Sequence, residues 1–124
     1  QLLFENLPPV LSHIRSGRLR ALAVGTLARS AFLPDLPTVA ESGVPGFEAS
    51  SWFGMVAPPA TTVPFITRLN AEFKQALVHA DVRSKLVTEG SEIVASSPAE
   101  FRAFIAEDVR KWANVVKVAK IAVE

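Results

Sequence analysis

The stretch LPDLPTVAESGVPGF, from Leu33 to Phe47, sets the tightest limit on what this chain can fold into. Pro34, Pro37 and Pro45 each fix a backbone dihedral and remove a hydrogen-bond donor, and Gly43 and Gly46 lie among them. Neither a regular helix nor a central strand can run through such a segment. Yet Leu33, Leu36, Val39, Val44 and Phe47 keep it apolar, unlike a flexible linker. It reads as a stiff, ordered connector that the elements on either side must accommodate.

Those elements are short. Leu2 to Phe4 form an apolar run that reads as the end of a strand, and Asn6 stands where it can cap a following helix. Pro8 and Pro9 are tolerated only in that helix's first turn, Leu7, Val10, Leu11 and Ile14 make its apolar stripe, and Gly17 ends it. Leu19 to Gly25, LRALAVG, is a continuous small and β-branched run, expected as a strand buried on both faces. After the connector, Trp52 to Ala57 is strand-like. Pro64 opens a helix with Thr62 or Val63 near its cap and Ile66, Leu69, Phe73 and Leu77 on one face. Asp81 is placed to cap a second helix over Val82 to Thr88, with Gly90 as terminator, and Glu92 to Ala95 has room for one short strand. Ser97, Pro98 and Glu100 make a capping box, predicting a helix to about Lys117 along Phe101, Phe104, Ile105, Val109, Trp112, Val115 and Val116.

The order strand, helix, strand, connector, strand, helices, strand, helix predicts an α/β fold. A chain of 124 residues, 49% hydrophobic and 20% charged, has the length for one domain burying roughly two-thirds of its unfolded surface. Thirteen basic against twelve acidic residues leave no electrostatic footprint for nucleic acid, which is not expected as a partner. No apolar run reaches the ~18 residues of a membrane span, and QLLFENLPPV lacks the marks of a signal peptide. The absence of cysteine removes disulfides, thiol catalysis and thiolate metal sites.

Catalytic chemistry finds no foothold. His13 and His79 fall on different predicted helices without a carboxylate at metal-ligand spacing, and no serine lies in a nucleophile elbow. The glycines of SGVPG match neither a dinucleotide nor a phosphate loop. Glu100 reads as a cap, Glu107 and Asp108 as a solvated face, and Trp112 as core. No catalytic residue, metal or cofactor is therefore expected, and no enzyme. Two residues carry an open alternative. Asn6, between a strand end and a helix N-terminus, reads either as a plain cap or as a contact to an anionic ligand, and Trp52, where the connector re-enters a strand, as packing or as an aromatic wall.

The run SGRLRALAVGTLARSAFLPDLPTVAESGVPGFEASSWFGMVAP, with Phe4, Asn6, Leu7 and Pro8 before it and Leu69, Asn70, Gly90, Ser97 to Phe101 and Trp112 after it, resembles the Bug family. These are extracytoplasmic solute-binding receptors of tripartite tricarboxylate transporters. The resemblance covers essentially the whole chain, with TTVPF as a small departure where the family has Thr-Pro. Complete receptors are longer, and the glycine-rich and second ligand loops of their front half do not occur in these residues. The resemblance implies a periplasmic-binding-protein-like (type II) architecture, incomplete in this chain: residues 1–50 as the end of the second lobe and the connector, residues 51–124 as the crossover strand and C-terminal helices of the first. It implies periplasmic capture of a small carboxylate-bearing solute for membrane transporter subunits, without chemistry, with Phe4, Asn6 and Trp52 as ligand-contacting candidates. Unpaired sheet edges would make the chain a homodimer or higher oligomer, completed by domain swapping. The alternative is a truncated relative without ligand binding, serving as a self-associating structural module.

Overall fold

The computed structural model describes residues 2–122, and among them four helices form: α1 over Leu7–Arg15, α2 over Val63–Val78, α3 over Ala80–Thr88 and α4 over Pro98–Val118. Each falls where hydrophobic spacing and punctuation place it. The capping box of α4 is complete: the Ser97 amide donates to Glu100 Oε2 at 2.8 Å and the Glu100 amide to Ser97 Oγ at 3.3 Å. α3 begins at Ala80, so Asp81 lies in its first turn rather than at the cap, where its charge still opposes the helix dipole favourably. It ends before Gly90, whose φ of +86° supplies the left-handed turn.

By contact the chain divides into two units, and neither is one stretch of sequence. The first comprises residues up to Val56 together with Ala80–Ile93. In it Leu11, only 3% exposed, is the one fully buried apolar residue among those described. Leu7 and Leu11 close on Gly90, where an added β-carbon would stand 3.4 Å from Leu7 Cγ and Leu11 Cδ2.

The proline-rich connector is as ordered as its composition requires. The Val24 amide donates to Pro37 O and the Val39 amide to Val24 O, each at 2.9 Å, a parallel bridge between Val24 and Thr38. The Ala49 amide then donates to Gly25 O at 2.8 Å. Between these ties the chain makes a single turn held like a helix start. Thr38 N–H donates to Glu41 Oε2 at 2.8 Å, the Glu41 amide to Thr38 Oγ1 at 3.0 Å, and Ser42 Oγ to Thr38 O at 2.8 Å. Thr38 is 1% exposed, so its polar atoms are satisfied within this turn.

The second unit comprises Ala57–His79 and the residues from Val94 on. Here α2 packs against α4, and Asn70 Nδ2 donates to Ser96 O at 3.0 Å, fixing the entry to α4. Neither helix buries a side chain fully. Trp112, expected in the core, is 41% exposed; its indole donates to Asp108 Oδ1 at 3.0 Å, and the Lys111 ammonium lies 5.6 Å from its ring centre.

The strands expected at Leu2 to Phe4, Leu19 to Gly25, Trp52 to Ala57 and Glu92 to Ala95 do not form ladders; among the described residues the Val24 bridge is the only β pairing. A strand, unlike a helix, takes its hydrogen bonds from a neighbour, and beyond the connector's bonds to Val24 and Gly25 no described segment forms a ladder with these runs. Phe4, Phe53, Val56 and Val94 are 82%, 92%, 83% and 82% exposed. The expected burial fails for the same reason. The accessible surface is 10022 Å², whereas the unfolded chain would expose about 19,400 Å², so roughly half is buried and not two-thirds.

Candidate ligand-binding site

Two of the three candidate contacts, Phe4 and Asn6, stand just before α1, and both residues are exposed. Asn6 holds the N-cap conformation, with φ −66° and ψ 146°, but its side chain makes no cap hydrogen bond. The reason is local. An N-cap oxygen accepts from the amides of the second or third helical residue, and those residues are Pro8 and Pro9, which have no amide hydrogen. The plain-cap reading of Asn6 is thus corrected: the position is a cap, the side chain cannot act as one.

The same prolines thin out the donors that a helix start normally offers an anion. Of the first three helical residues only Leu7 carries an N–H, and the Asn6 amide is taken by Glu5 Oε1 at 2.8 Å. The arrangement offers a carboxylate the Asn6 carboxamide, the Leu7 amide and the positive end of the helix dipole. Against these stands the negative charge of Glu5 one residue away. Half of an elementary charge at the helix end does not outweigh a full one, so tight anion binding here needs further donors.

Trp52 belongs to the same unit and lies beyond the Ala49 tie in the run 51–57, with 40% of its surface exposed. A shallow cleft of about 560 Å³ lies between α1 and the end of α3, walled by Leu11, Arg15, Ser16, Thr88 and Glu89 among others, and none of Phe4, Asn6 and Trp52 lines it. His13 and His79 fall in different units, and among the described residues no three His, Cys, Asp or Glu side chains are grouped to hold a metal ion.

The polar cluster that the structure does assemble was not anticipated. Arg29 Nε meets Glu41 Oε2 at 3.0 Å and Arg29 Nη1 donates to Pro34 O at 3.4 Å, so one guanidinium clasps both limbs of the connector. The Thr38 amide, and after it the Arg29 guanidinium, hold the Glu41 carboxyl below the ordinary carboxylate value. The signal was present: Thr38 and Glu41 have the spacing that identified Ser97 and Glu100. Its role is to fix the path from Gly25 to Trp52.

Comparison with known proteins places this geometry. Residues 2–121 match the family described as tripartite tricarboxylate transporter family receptor. The protein BugT of Bordetella pertussis is 43% identical over 113 residues, which cover 91% of this chain and 35% of BugT. Among solved structures, R. palustris Rpa4515 with adipate aligns with a TM-score of 0.80 at 36% identity, over 94% of this chain and 39% of Rpa4515. MatC (Rpa3494) from Rhodopseudomonas palustris with bound malate aligns with a TM-score of 0.75 at 30% identity, over 89% of this chain and 38% of MatC. The chain thus spans little more than a third of the length of these proteins.

Proposed function

The chain belongs to the tripartite tricarboxylate transporter receptor family, and from that membership we propose that it forms part of a periplasmic receptor. The receptor captures a small carboxylate-bearing solute and presents it to membrane transporter subunits. The observation that carries this reading is the alignment of 94% of the chain with a protein solved with adipate. The malate of MatC supports the same ligand class, since both are short dicarboxylates. In the complete receptor residues 1–50 close the second lobe and residues 51–124 return to the first. Phe4, Asn6 and Trp52 contact the solute, with the Asn6 carboxamide and the Leu7 amide holding one carboxylate.

The donors available at α1 are too few to bind an anion tightly, so the free chain should bind dicarboxylates only in the millimolar range. A stringent test therefore joins this chain to the portion of Rpa4515 that it does not match and titrates the purified chimera with adipate and malate by calorimetry. Micromolar binding that Asn6→Ala weakens about ten-fold, the value of one hydrogen bond to a charged group, is expected. A folded chimera that takes up neither adipate nor malate would refute the reading.

A further inference from the structure

The first turn of α1 has to be positioned from outside the helix. Nine residues are too few for an isolated helix to hold in water. The start also lacks its usual fastening, since the Asn6 side chain makes no cap bond and Pro8 and Pro9 carry no amide hydrogen. Packing of the apolar face is what remains. Leu7 and Leu11 lie one turn apart on that face, Leu11 is almost fully buried, and both close on Gly90 from a stretch distant in sequence.

Gly90 is itself held firmly. Its amide donates to Val87 O at 3.0 Å and the Ser91 amide to Leu86 O at 2.9 Å, the paired bonds of a Schellman turn that ends α3. The turn needs a residue at φ +86°, and after glycine asparagine tolerates that region better than alanine does. The approach to α1 sets a second and opposite requirement. A β-carbon at Gly90 would stand 3.4 Å from Leu7 Cγ and Leu11 Cδ2 and 3.5 Å from Leu7 Cδ2, so a methyl group just touches α1 and a longer side chain crowds it. The turn prefers asparagine to alanine; the contact prefers alanine to asparagine.

We infer that Gly90 is a positioning residue for the solute site: its contact with Leu7 and Leu11 sets the first turn of α1, and with it the Asn6 carboxamide and the Leu7 amide. This rests on the function proposed above, in which those two groups hold one carboxylate. A shift of about 1 Å carries an ordinary hydrogen bond beyond its working range, so the placement of the turn decides whether the carboxamide reaches the solute.

The test compares Gly90→Asn with Gly90→Ala in two settings. In the chain alone, hydrogen exchange is read at Ser91, whose amide closes the α3 turn, and at Val10 and Leu11, the first amides of α1 to reach back to Asn6 and Leu7. Gly90→Ala should accelerate Ser91 more than Gly90→Asn does. Val10 and Leu11 should show the reverse order, exchanging about ten-fold faster in Gly90→Asn than in Gly90→Ala. In the chimera with the unmatched portion of Rpa4515, Gly90→Asn should weaken adipate binding about ten-fold, as Asn6→Ala does, and Gly90→Ala should stay within about three-fold of the parent. Asn6→Ala added to Gly90→Asn should then cost less than about two-fold more, because the carboxamide is already out of reach. A glycine that only ends α3 would rank the two substitutions alike at all three amides, and that result overturns the inference. So does adipate binding that Gly90→Asn leaves unchanged, or a full loss from Asn6→Ala in the Gly90→Asn background. A chimera that binds neither adipate nor malate counts against the carboxylate reading, while the order of exchange in the chain alone still decides whether Gly90 sets the start of α1.

Discussion

Gly25→Ala should be the most damaging single-methyl change in the first unit, for a reason its backbone does not advertise. Gly25 does not have the positive φ of Gly17, Gly43, Gly46 and Gly90, so conformation alone would accept alanine. The obstacle is the Ala49 carbonyl oxygen, which a β-carbon at Gly25 would overlap, with Ala49 C at 3.5 Å and Phe47 Cε1 at 3.9 Å behind it. The blocking atom belongs to the backbone and cannot swing away. Relief requires the run near Ala49 to move off, which stretches the 2.8 Å bond from the Ala49 amide to Gly25 O. Overpacking costs about 1–3 kcal/mol and the lost hydrogen bond about 1 kcal/mol, so a total of about 3 kcal/mol is expected. Hydrogen exchange at the Ala49, Val39 and Val24 amides should then accelerate about a hundred-fold, since every 1.4 kcal/mol is a factor of ten. Gly17→Ala is the control. Its β-carbon meets nothing within 4 Å, and only its left-handed backbone is penalised, by about 1–2 kcal/mol at the end of α1. If Gly25→Ala leaves exchange at Ala49 within two-fold of wild type, or Gly17→Ala disturbs Ala49 more, the close approach of the two segments is refuted.

Three further outcomes follow from the hydrogen bonds. Ser97→Ala removes the accepting oxygen of the α4 capping box and should destabilise that helix by about 1 kcal/mol, read as faster exchange of the Glu100 and Phe101 amides; an unchanged rate would deny the cap. Glu41 is held below its ordinary value of 4.5 first by the Thr38 amide, so its share of the connector's stability is full above about pH 4.5 and is lost as pH falls through the lowered value. The Thr38 amide shift should report this with a midpoint below 4.5, and Glu41→Gln should abolish the transition; a midpoint at or above 4.5 would contradict it. Asn6→Ala in the free chain should leave α1 unchanged within about 0.5 kcal/mol, against the ~1 kcal/mol of an ordinary N-cap, because Pro8 and Pro9 leave its side chain nothing to cap; a full capping loss by denaturation would sink that argument.

The helices were legible because each is specified within its own residues. Asn6 with Pro8, Thr62 with Pro64, and Ser97 with Glu100 mark starts that depend on no distant contact, and the observed starts follow them. Strands lack that independence. LRALAVG and WFGMVA have the apolar and β-branched character of buried strands, but pairing requires a second segment that composition cannot supply. In LRALAVG the one β bridge is at Val24, and its bonds, with the one that follows at Gly25, come from the connector and its continuation through Pro37, Val39 and Ala49. Proline and glycine reported that this stretch was stiff and irregular. They did not report that it would double back onto the preceding run, because that path is set by the clasp of Arg29, Thr38 and Glu41, whose partners are up to twelve residues apart in sequence.

The candidate site divides in the same way. That Asn6 stands at a helix start was readable from its neighbours, and so, with the two prolines in view, was its inability to cap. Putting both facts together changes what the residue is for. A side chain held at the positive end of a helix, exposed and relieved of any local hydrogen bond, retains two amide donors for a carboxylate at no cost to the fold. The prolines that free it also remove two of the three leading backbone amides, and Glu5 places a negative charge beside what remains. A site built this way holds a carboxylate only weakly. On the function proposed above it would orient one end of a dicarboxylate, with the greater part of the binding energy left to donors elsewhere in the receptor.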